Sequence, residues 1–286
     1  MPGYHLPLFA AAAGGIFEGN GLKVELVDPF PGPANPRAAA LGKYDLCLTS
    51  VAHFLRAKAE EPGLPAKFVF MVTKRPHLCV FVRRDGDIHT FRDLEGATVV
   101  GSPELPFVRE FDTLLRRLGI TRGPALEMPY SETIEAFASG KGDVAVDFLD
   151  LRPAFEQAGA DVRSLPFYEA GGLDVYGSGL VAGTQFISER ADALRRVVAA
   201  YAEALEATRR DPAPALAAMR KRIPELDEER ALRGWEAGQP LIFVDEGMTL
   251  EKWRRTIERH AEAHGTPRFD PASVFDASAE PVSAPA

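Results

Sequence analysis

The stretch "AALGKYDLCLTS" (residues 39–50) decides the fold, because the chain nearly repeats it as "FASGKGDVAVDF" (residues 137–148). In each copy, helix-like residues lead to Gly-Lys, an Asp follows, and an apolar run comes next. Glycine ends helices because it adopts positive φ readily, and short apolar runs are typical of buried strands. The repeat therefore predicts two α/β lobes of similar plan. Coincidence is the alternative, since this helix–turn–strand pattern suits any α/β protein.

The overall composition excludes several classes of protein. The chain has 286 residues, of which 46% are hydrophobic, so it can build one large domain or two medium ones. Its net charge is -8 and it has no Lys/Arg-rich run, which argues against binding to nucleic acid or to an anionic membrane. No apolar run is long enough to span a bilayer. Without a Cys-x-x-Cys spacing, Cys47 and Cys79 are predicted to be buried free thiols.

Strand-like and helix-like segments alternate along the chain. The strand-like runs cover residues 22–28, 44–50, 66–73, 77–84, 97–102, 125–130 and 143–148. The helical patterns cover residues 107–119, 131–140, 188–212 and 249–265, and the last three begin at the N-cap candidates Ser131, Ser188 and Thr249. Such alternation predicts parallel sheets whose strands are connected by helical crossovers.

Polar side chains stand at the ends of the two repeated strands. The first copy ends in Thr49 and Ser50, and the second ends near Asp147. Ligands of open α/β sheets bind at the carboxyl ends of the strands. Two lobes that each present a polar strand end predict a ligand cleft between them, as in a hinged binding protein.

Five segments carry a resemblance to a known family. In chain order they are "GYHLPLFAAAAGGIFEGNGLKVELVDP", "ALGKYDLCLTS", "DIHTFRDLEGATVVGSPEL", "ETIEAFASGKGDVAVDF" and "RDPAPALAAMRKRIPELDEE". Their order and spacing resemble the nitrate, sulfonate and thiamine-pyrimidine-precursor group of ABC-importer substrate-binding proteins. That group has the type II periplasmic-binding-protein fold and also contains the fungal thiamine pyrimidine synthase. The resemblance covers about residues 15–265.

The resemblance implies an α/β, two-lobed fold of the type II periplasmic-binding-protein kind, with a hinge and an interlobe ligand cleft. Lobe 1 is then expected to comprise residues 1–80 and 182–286, and lobe 2 to comprise residues 81–181. The hinge is expected near residues 78–84 and 177–183, where the chain passes between the lobes.

The family places one further strand before the segment that matches "GYHLPLF", and importers place a signal peptide before that strand. Neither stands in this sequence, so we expect its start to be truncated. The resemblance implies an extracytoplasmic protein, periplasmic or lipid-anchored. Taken literally, a chain without a signal peptide is cytoplasmic, which is the alternative.

The first ligand-site candidates lie in lobe 1. Tyr4 and His5 precede the first helix, at a turn that faces the cleft in the family, where an aromatic ring can stack on the ligand. Thr49 and Ser50 end a strand and start a helix, where hydroxyls and free N–H groups can bind a polar ligand. The alternatives are a frayed terminus for the first pair and a plain helix N-cap for the second.

The remaining candidates lie in lobe 2 and at the return crossing. Glu104 follows the first strand of lobe 2, and its alternative is a solvated loop acid. Asp147 stands at a strand end among apolar neighbours, where an unpaired acid would be costly. Tyr176 lies where the chain crosses back between the lobes.

This candidate set points to a class of ligand. It contains two acids, hydroxyls and aromatic rings but no Arg, which a sulfonate or nitrate would favour. Carboxylates accept hydrogen bonds from ring amines, and aromatic rings stack on a heterocycle. We therefore expect a thiamine-precursor pyrimidine or a similar amino-heteroaromatic. No catalytic residue, metal site or cofactor is predicted, and His260 with His264 is better explained as a pair near a helix end.

Two functions from different classes remain. The first is a monomeric substrate-binding protein that presents a small solute to ABC permease subunits, with no chemistry and no nucleic-acid partner. The second is a cytoplasmic enzyme of thiamine-pyrimidine biosynthesis on the same fold. The missing signal peptide favours the enzyme. The segment "LDVYGSGLVAG" favours the binding protein, since it lacks the cysteine-rich motif of the fungal synthase.

Overall fold

A computed structural model describes residues 3–28, 30–103, 105–170 and 173–280. The strands are β1 (Leu46–Ser50), β2 (Ala66–Thr73), β3 (Leu78–Arg83), β4 (Val99–Gly101), β5 (Ala125–Glu127), β6 (Val144–Phe148), β7 (Val162–Pro166) and β8 (Ser178–Gly183). The helices are α1 (Leu6–Ala13), α2 (Ile16–Gly19), α3 (Ala34–Ala40), α4 (Val51–Glu60), α5 (Phe107–Leu118), α6 (Tyr130–Ala138), α7 (Arg152–Gln157), α8 (Thr184–Glu189), α9 (Ala191–Arg210), α10 (Ala213–Arg222), α11 (Glu228–Ile242) and α12 (Leu250–His264). Within these residues, none of the helices is long and apolar enough to cross a bilayer.

The strands form two sheets, as the repeat predicts. One sheet has three strands in the order β1-β8-β2, and the other has five in the order β5-β4-β6-β3-β7. The prediction that the sheets are parallel is wrong for most pairs: only β4 pairs in parallel, with β5 and with β6. Strands β3 and β8 are antiparallel to both of their neighbours. Each of these two strands comes directly from the other sheet, without the helical crossover that parallel pairing requires.

The two repeated stretches form the same local structure. Gly42 and Gly140 both have positive φ, 67° and 93°. The next residue in each copy donates its N–H back to the preceding helix, from Lys43 to Ala38 O at 2.9 Å and from Lys141 to Ala136 O at 3.0 Å. Each copy is therefore a helix C-terminus that turns into a strand, β1 in one sheet and β6 in the other.

The predicted strand over residues 22–28 is absent from the structure. These residues belong to neither sheet. Leu22 and Val24 instead pack beside Phe17 of α2 and Ala200 of α9. The apolar/polar alternation therefore arises from packing against helices, which gives the same period as a half-buried strand.

Two predicted helix starts are also wrong. Residues 188–212 form two helices rather than one, because the chain breaks at Arg190, whose φ is -125°. Ser188 lies inside α8 and donates to the Gln185 carbonyl, so it does not cap α9. Helix α6 begins one residue before Ser131, with Pro129 at its N-cap. By contrast, Thr249 does cap α12, accepting from Lys252 N at 3.2 Å.

The chain crosses between the sheets twice, through residues 74–77 and 167–177. The predicted lobe boundaries at 80/81 and 181/182 fall inside β3 and β8, whereas boundaries within the crossings leave both strands whole. Which residues move together stays a prediction. Both cysteines are buried and free, as predicted.

Helices α11 and α12 connect the two halves away from the crossings. Arg233 of α11 forms an ion pair with Glu156 of α7. Arg259 of α12 reaches Glu110 of α5, with 3.3 Å between its guanidinium and the carboxylate, and His264 also contacts that carboxylate. These contacts join helices packed on the three-stranded sheet to helices packed on the five-stranded sheet.

Gly177 lies at a close approach of the chain, at the end of the return crossing. A Cβ at this residue would lie 2.6 Å from the Arg75 carbonyl oxygen and 2.6 Å from Thr73 Oγ1. We expect Gly177→Ala to lower the free energy of unfolding by about 1–3 kcal/mol, because backbone atoms cannot move aside cheaply. Urea unfolding measures this. Gly63→Ala is the control, since a Cβ there meets nothing within 4 Å; equal effects of the two substitutions would contradict the tight crossing.

Candidate ligand site between the two sheets

The candidate site lies where the ends of several strands meet the first crossing. Strands β4 and β6 are parallel neighbours, so Ser102 and Asp147 emerge at the same edge of the five-stranded sheet. In the three-stranded sheet, Ser50 at the end of β1 is paired with Ser178 at the start of β8. A 3-10 turn at Gly3–His5 packs against these ends and against α11. The site is thus built from both sheets and both crossings.

A row of aromatic rings runs through this region from one sheet to the other. Tyr4 lies 4.7 Å from His77, and His77 lies 5.8 Å from Phe148, measured between ring centroids. Phe148 lies 4.8 Å from Phe107, and Phe107 lies 6.1 Å from Tyr130. All four contacts are edge-to-face, the arrangement that aromatic quadrupoles favour. We call these five residues the aromatic row.

His77, in the first crossing, contacts the ends of β2 and β8 from which the two crossings run. Its Nε2 lies 2.7 Å from Thr73 Oγ1 and 3.3 Å from Ser178 Oγ. The Ser178 N–H donates to Thr73 Oγ1 at 2.6 Å, which leaves the Thr73 hydroxyl proton available to His77. Burial lowers the pKa of His77 to about 4, so the ring is neutral at physiological pH.

Asp147 lies beside the aromatic row, at the end of β6, and is only 2% exposed. Its Oδ1 accepts from the Tyr130 hydroxyl at 3.0 Å and from the Phe148 N–H at 2.8 Å. Burial raises the pKa of Asp147 to about 7 although these two hydrogen bonds lower it, and the nearby charge of Asp150 raises it further. At neutral pH this carboxyl exchanges readily between its two protonation states.

Asp150 is a second buried acid at the same strand end. It lies in the 3-10 turn Leu149–Leu151 that follows β6, and it is 5% exposed. Burial raises its pKa to about 6, while hydrogen bonds from the N–H groups of Asp150 and Gly3 and the charge of Arg230 lower it. A site with two such acids favours ligands that donate hydrogen bonds or carry positive charge.

The structure brings Tyr4 and His5 into this site. Their ring centroids are 4.4 Å apart. Burial raises the pKa of Tyr4, and the charge of Asp150 acts in the same direction. Burial lowers the pKa of His5 to about 3, so this ring is also uncharged at neutral pH. Tyr4 thus lies beside His77 and near Asp150, which its position in the sequence could not reveal.

Thr49 and Ser50 lie next to the site rather than within the aromatic row. Ser50 caps α4, with its Oγ accepting from His53 N at 3.2 Å. Thr49 is buried and pairs with Gly179 across the sheet. Contact of these two residues with a ligand stays a prediction, and the N-cap role of Ser50 is observed.

Tyr176 lies apart from the other candidates, and Glu104 lies outside the described residues. The Tyr176 hydroxyl donates to Gly247 O and accepts from Thr249 N, both at 2.9 Å. Its ring lies 4.9 Å from that of Trp253, in the core beneath α12. The polar atom of this side chain is thus already engaged in holding α12, and a role in binding stays a prediction.

Sequence reasoning missed five residues of the site: Phe107, Tyr130, His77, Phe148 and Asp150. One signal was available, because "DFLD" places Phe148 and a second acid directly after Asp147. The others could not be found in this way, since they are brought together only by the packing of α5, α6 and the first crossing.

No group of three or more His, Cys, Asp or Glu side chains that could hold a metal occurs in the part of the chain that the structure describes. His260 and His264 of α12 have other partners. His260 Nδ1 lies 2.8 Å from Thr266 Oγ1, and His264 contacts the Glu110 carboxylate. Their spacing thus reflects packing between α12 and α5.

Comparison with known proteins settles the family. The family model described as "NMT1/THI5 like" matches residues 3–215. The chain belongs to this family. One curated relative is the 4-amino-5-hydroxymethyl-2-methylpyrimidine phosphate synthase of Schizosaccharomyces pombe, which is 28% identical over 118 residues. That match covers 41% of this chain and 33% of the relative, so the alignment spans about a third of the length of such relatives.

Solved structures confirm the fold expected from the resemblance. The periplasmic aliphatic sulphonate binding protein SsuA from Escherichia coli has a TM-score of 0.75 and 19% identity, covering 94% of this chain and 88% of its own. The alkanesulfonate-binding protein SsuA from Xanthomonas axonopodis pv. citri bound to MOPS has a TM-score of 0.66 and 18% identity, covering 96% and 95%. The two-sheet α/β architecture is therefore that of the periplasmic binding proteins.

The raised pKa of Asp147 predicts how stability depends on pH. An unfolded Asp has a pKa of about 3.9, whereas Asp147 in the folded protein keeps its proton up to about pH 7. The folded state therefore binds more protons between these values, and the free energy of unfolding falls as pH rises through this window. We expect Asp147→Asn to remove part of the decline seen between pH 5 and pH 7, by up to about 3 kcal/mol.

Urea unfolding at a series of pH values measures this decline. Asp161→Asn is the matched control, because Asp161 is an exposed acid paired with Arg84 at the surface. The free energy of unfolding of this control should decline with rising pH as that of the wild type does. An unchanged decline in Asp147→Asn would contradict the raised pKa.

Proposed function

We propose that this protein is a solute-binding protein that closes two lobes over a small amino-substituted heteroaromatic base, such as a thiamine-precursor pyrimidine. The observation that carries this proposal is the pairing of the aromatic row with two buried acids between the sheets. Aromatic rings offer faces and edges to a planar heterocycle, and carboxylates accept from its ring amines. The protein then presents the base unchanged to the permease of an ABC importer.

The chemistry of the site argues against a sulfonate or nitrate ligand. Anions of this kind are bound by Arg forks or by several free N–H groups. In the described chain, Asp147 and Asp150 take part in no ion pair, and the nearby Arg152 and Arg233 are both paired with Glu156. The structural likeness to SsuA thus supports the fold, while the side chains favour a different ligand.

The fold supports a hinged mechanism of capture. The halves are joined by two short crossings, and His77, Thr73 and Ser178 connect these crossings beside the site. Movement about the crossings would open the cleft, and the ion pair of Arg233 with Glu156 would re-form on closure. We further propose that the protein acts as a monomer outside the cytoplasm; the location is supported by structurally similar proteins that are named as periplasmic.

An enzyme of thiamine-pyrimidine biosynthesis is the second candidate. It is favoured by the names of curated relatives, which include the pyrimidine phosphate synthase of Schizosaccharomyces pombe. The two acids and the neutral His77 would be suitable groups for moving protons in a closed site. The two candidates differ in the fate of the ligand, since only the enzyme changes it.

The test is binding of 4-amino-5-hydroxymethyl-2-methylpyrimidine followed by recovery of the compound. We expect saturable binding by isothermal titration calorimetry, thermal stabilisation of a few degrees, and recovery of unchanged base by mass spectrometry. Conversion of the base would favour the enzyme. Saturable binding of an alkanesulfonate with none of the base would contradict the proposal.

The aromatic row should contribute directly to affinity. We expect Phe148→Leu to weaken binding of the base at least tenfold, because this ring contacts both His77 and Phe107 at the centre of the row. Calorimetry measures the affinity, and thermal melting shows whether the variant is folded. Phe186→Leu is the control, since Phe186 packs in the core of the other sheet and should leave the affinity unchanged.

A further inference from the structure

The two acids of the site differ in their hydrogen-bond partners. Asp147 Oδ1 already accepts two hydrogen bonds, from Tyr130 and from the Phe148 N–H. Asp150 Oδ1 is buried and accepts none from the described residues. A buried carboxylate oxygen without a donor is costly, so a native structure that keeps one usually has a use for it. The N–H groups of Asp150 and Gly3 also bond to the Asp150 carboxylate, but its Oδ1 still has no donor among the described residues and can accept one.

The charges around Asp150 exclude an anionic partner. Arg152 and Arg233 are committed to Glu156, and Arg230 is exposed at the start of α11. His5 and His77 are uncharged at neutral pH, as their low pKa values show. Among the described residues neither Asp147 nor Asp150 forms an ion pair, and Arg230 acts on Asp150 only through its charge, so the site carries the negative charge of its acids. A phosphate group would meet repulsion here, while an N–H donor would meet an open acceptor.

We infer that Asp150 accepts a hydrogen bond from the bound ligand, and that the site thereby selects an unphosphorylated, N–H-donating base over its phosphate ester. This inference rests on the proposed function and narrows it. It assigns the ligand contact to Asp150 and gives Asp147 the task of positioning the strand end. It also separates this chain from a protein that retains a phosphorylated pyrimidine.

The test compares two probes on the whole chain by calorimetry: 4-amino-5-hydroxymethyl-2-methylpyrimidine and its phosphate ester. We expect the ester to bind at least tenfold more weakly than the free base to the wild type. Asp150→Asn should weaken binding of the base at least tenfold and should narrow the difference between base and ester. Asp161→Asn, which removes a surface acid of the same type, should change neither affinity.

The outcomes are distinguishable. If the ester binds as tightly as the base, or if Asp150→Asn leaves the preference unchanged, the inference is overturned while the proposed function stands. If neither probe binds to the wild type, the proposed function itself fails. Thermal melting establishes whether Asp150→Asn is folded. If it is not folded, the preference of the wild type for the base over the ester still tests the selection by charge.

Discussion

Both crossings run from the paired ends of β2 and β8, and the site depends on the close approach of the chain at these ends. Gly177 leaves room for the Arg75 carbonyl and the Thr73 hydroxyl, and no larger residue fits there. His77 then reaches both Thr73 and Ser178, so its ring is fixed between the sheets. Because the ring is fixed, it can also support the aromatic row. The first crossing and the candidate site thus share His77.

Burial in this arrangement makes the two acids costly to ionise. A carboxyl group removed from water is costly to ionise, which is why the pKa values of Asp147 and Asp150 rise to about 7 and about 6. Tyr130 and the Phe148 N–H offset part of this cost for Asp147. In the proposed function, a ligand that supplies a donor would offset the remaining unfavourable energy.

The repeated stretch predicted the architecture because helix termination and buried strands depend on local residues, and both glycines adopt the expected positive φ. The direction of a strand depends on how the crossings connect it, and the conformation of residues 22–28 depends on packing against α2 and α9. Local sequence patterns therefore gave wrong predictions for both. Within the site, Asp147 was predictable from its apolar neighbours. His77 was not, because its role requires Ser178, 101 residues away.

The most direct test of this account is a crystal structure of the protein grown with 4-amino-5-hydroxymethyl-2-methylpyrimidine. The account predicts the base between the sheets, with its ring against Tyr4 or Phe148 and an amine about 3 Å from the carboxylate of Asp150. It also predicts that His77 still connects Thr73 to Ser178. A base bound on the outer surface, or between the sheets with its amine directed away from both acids, would contradict the account.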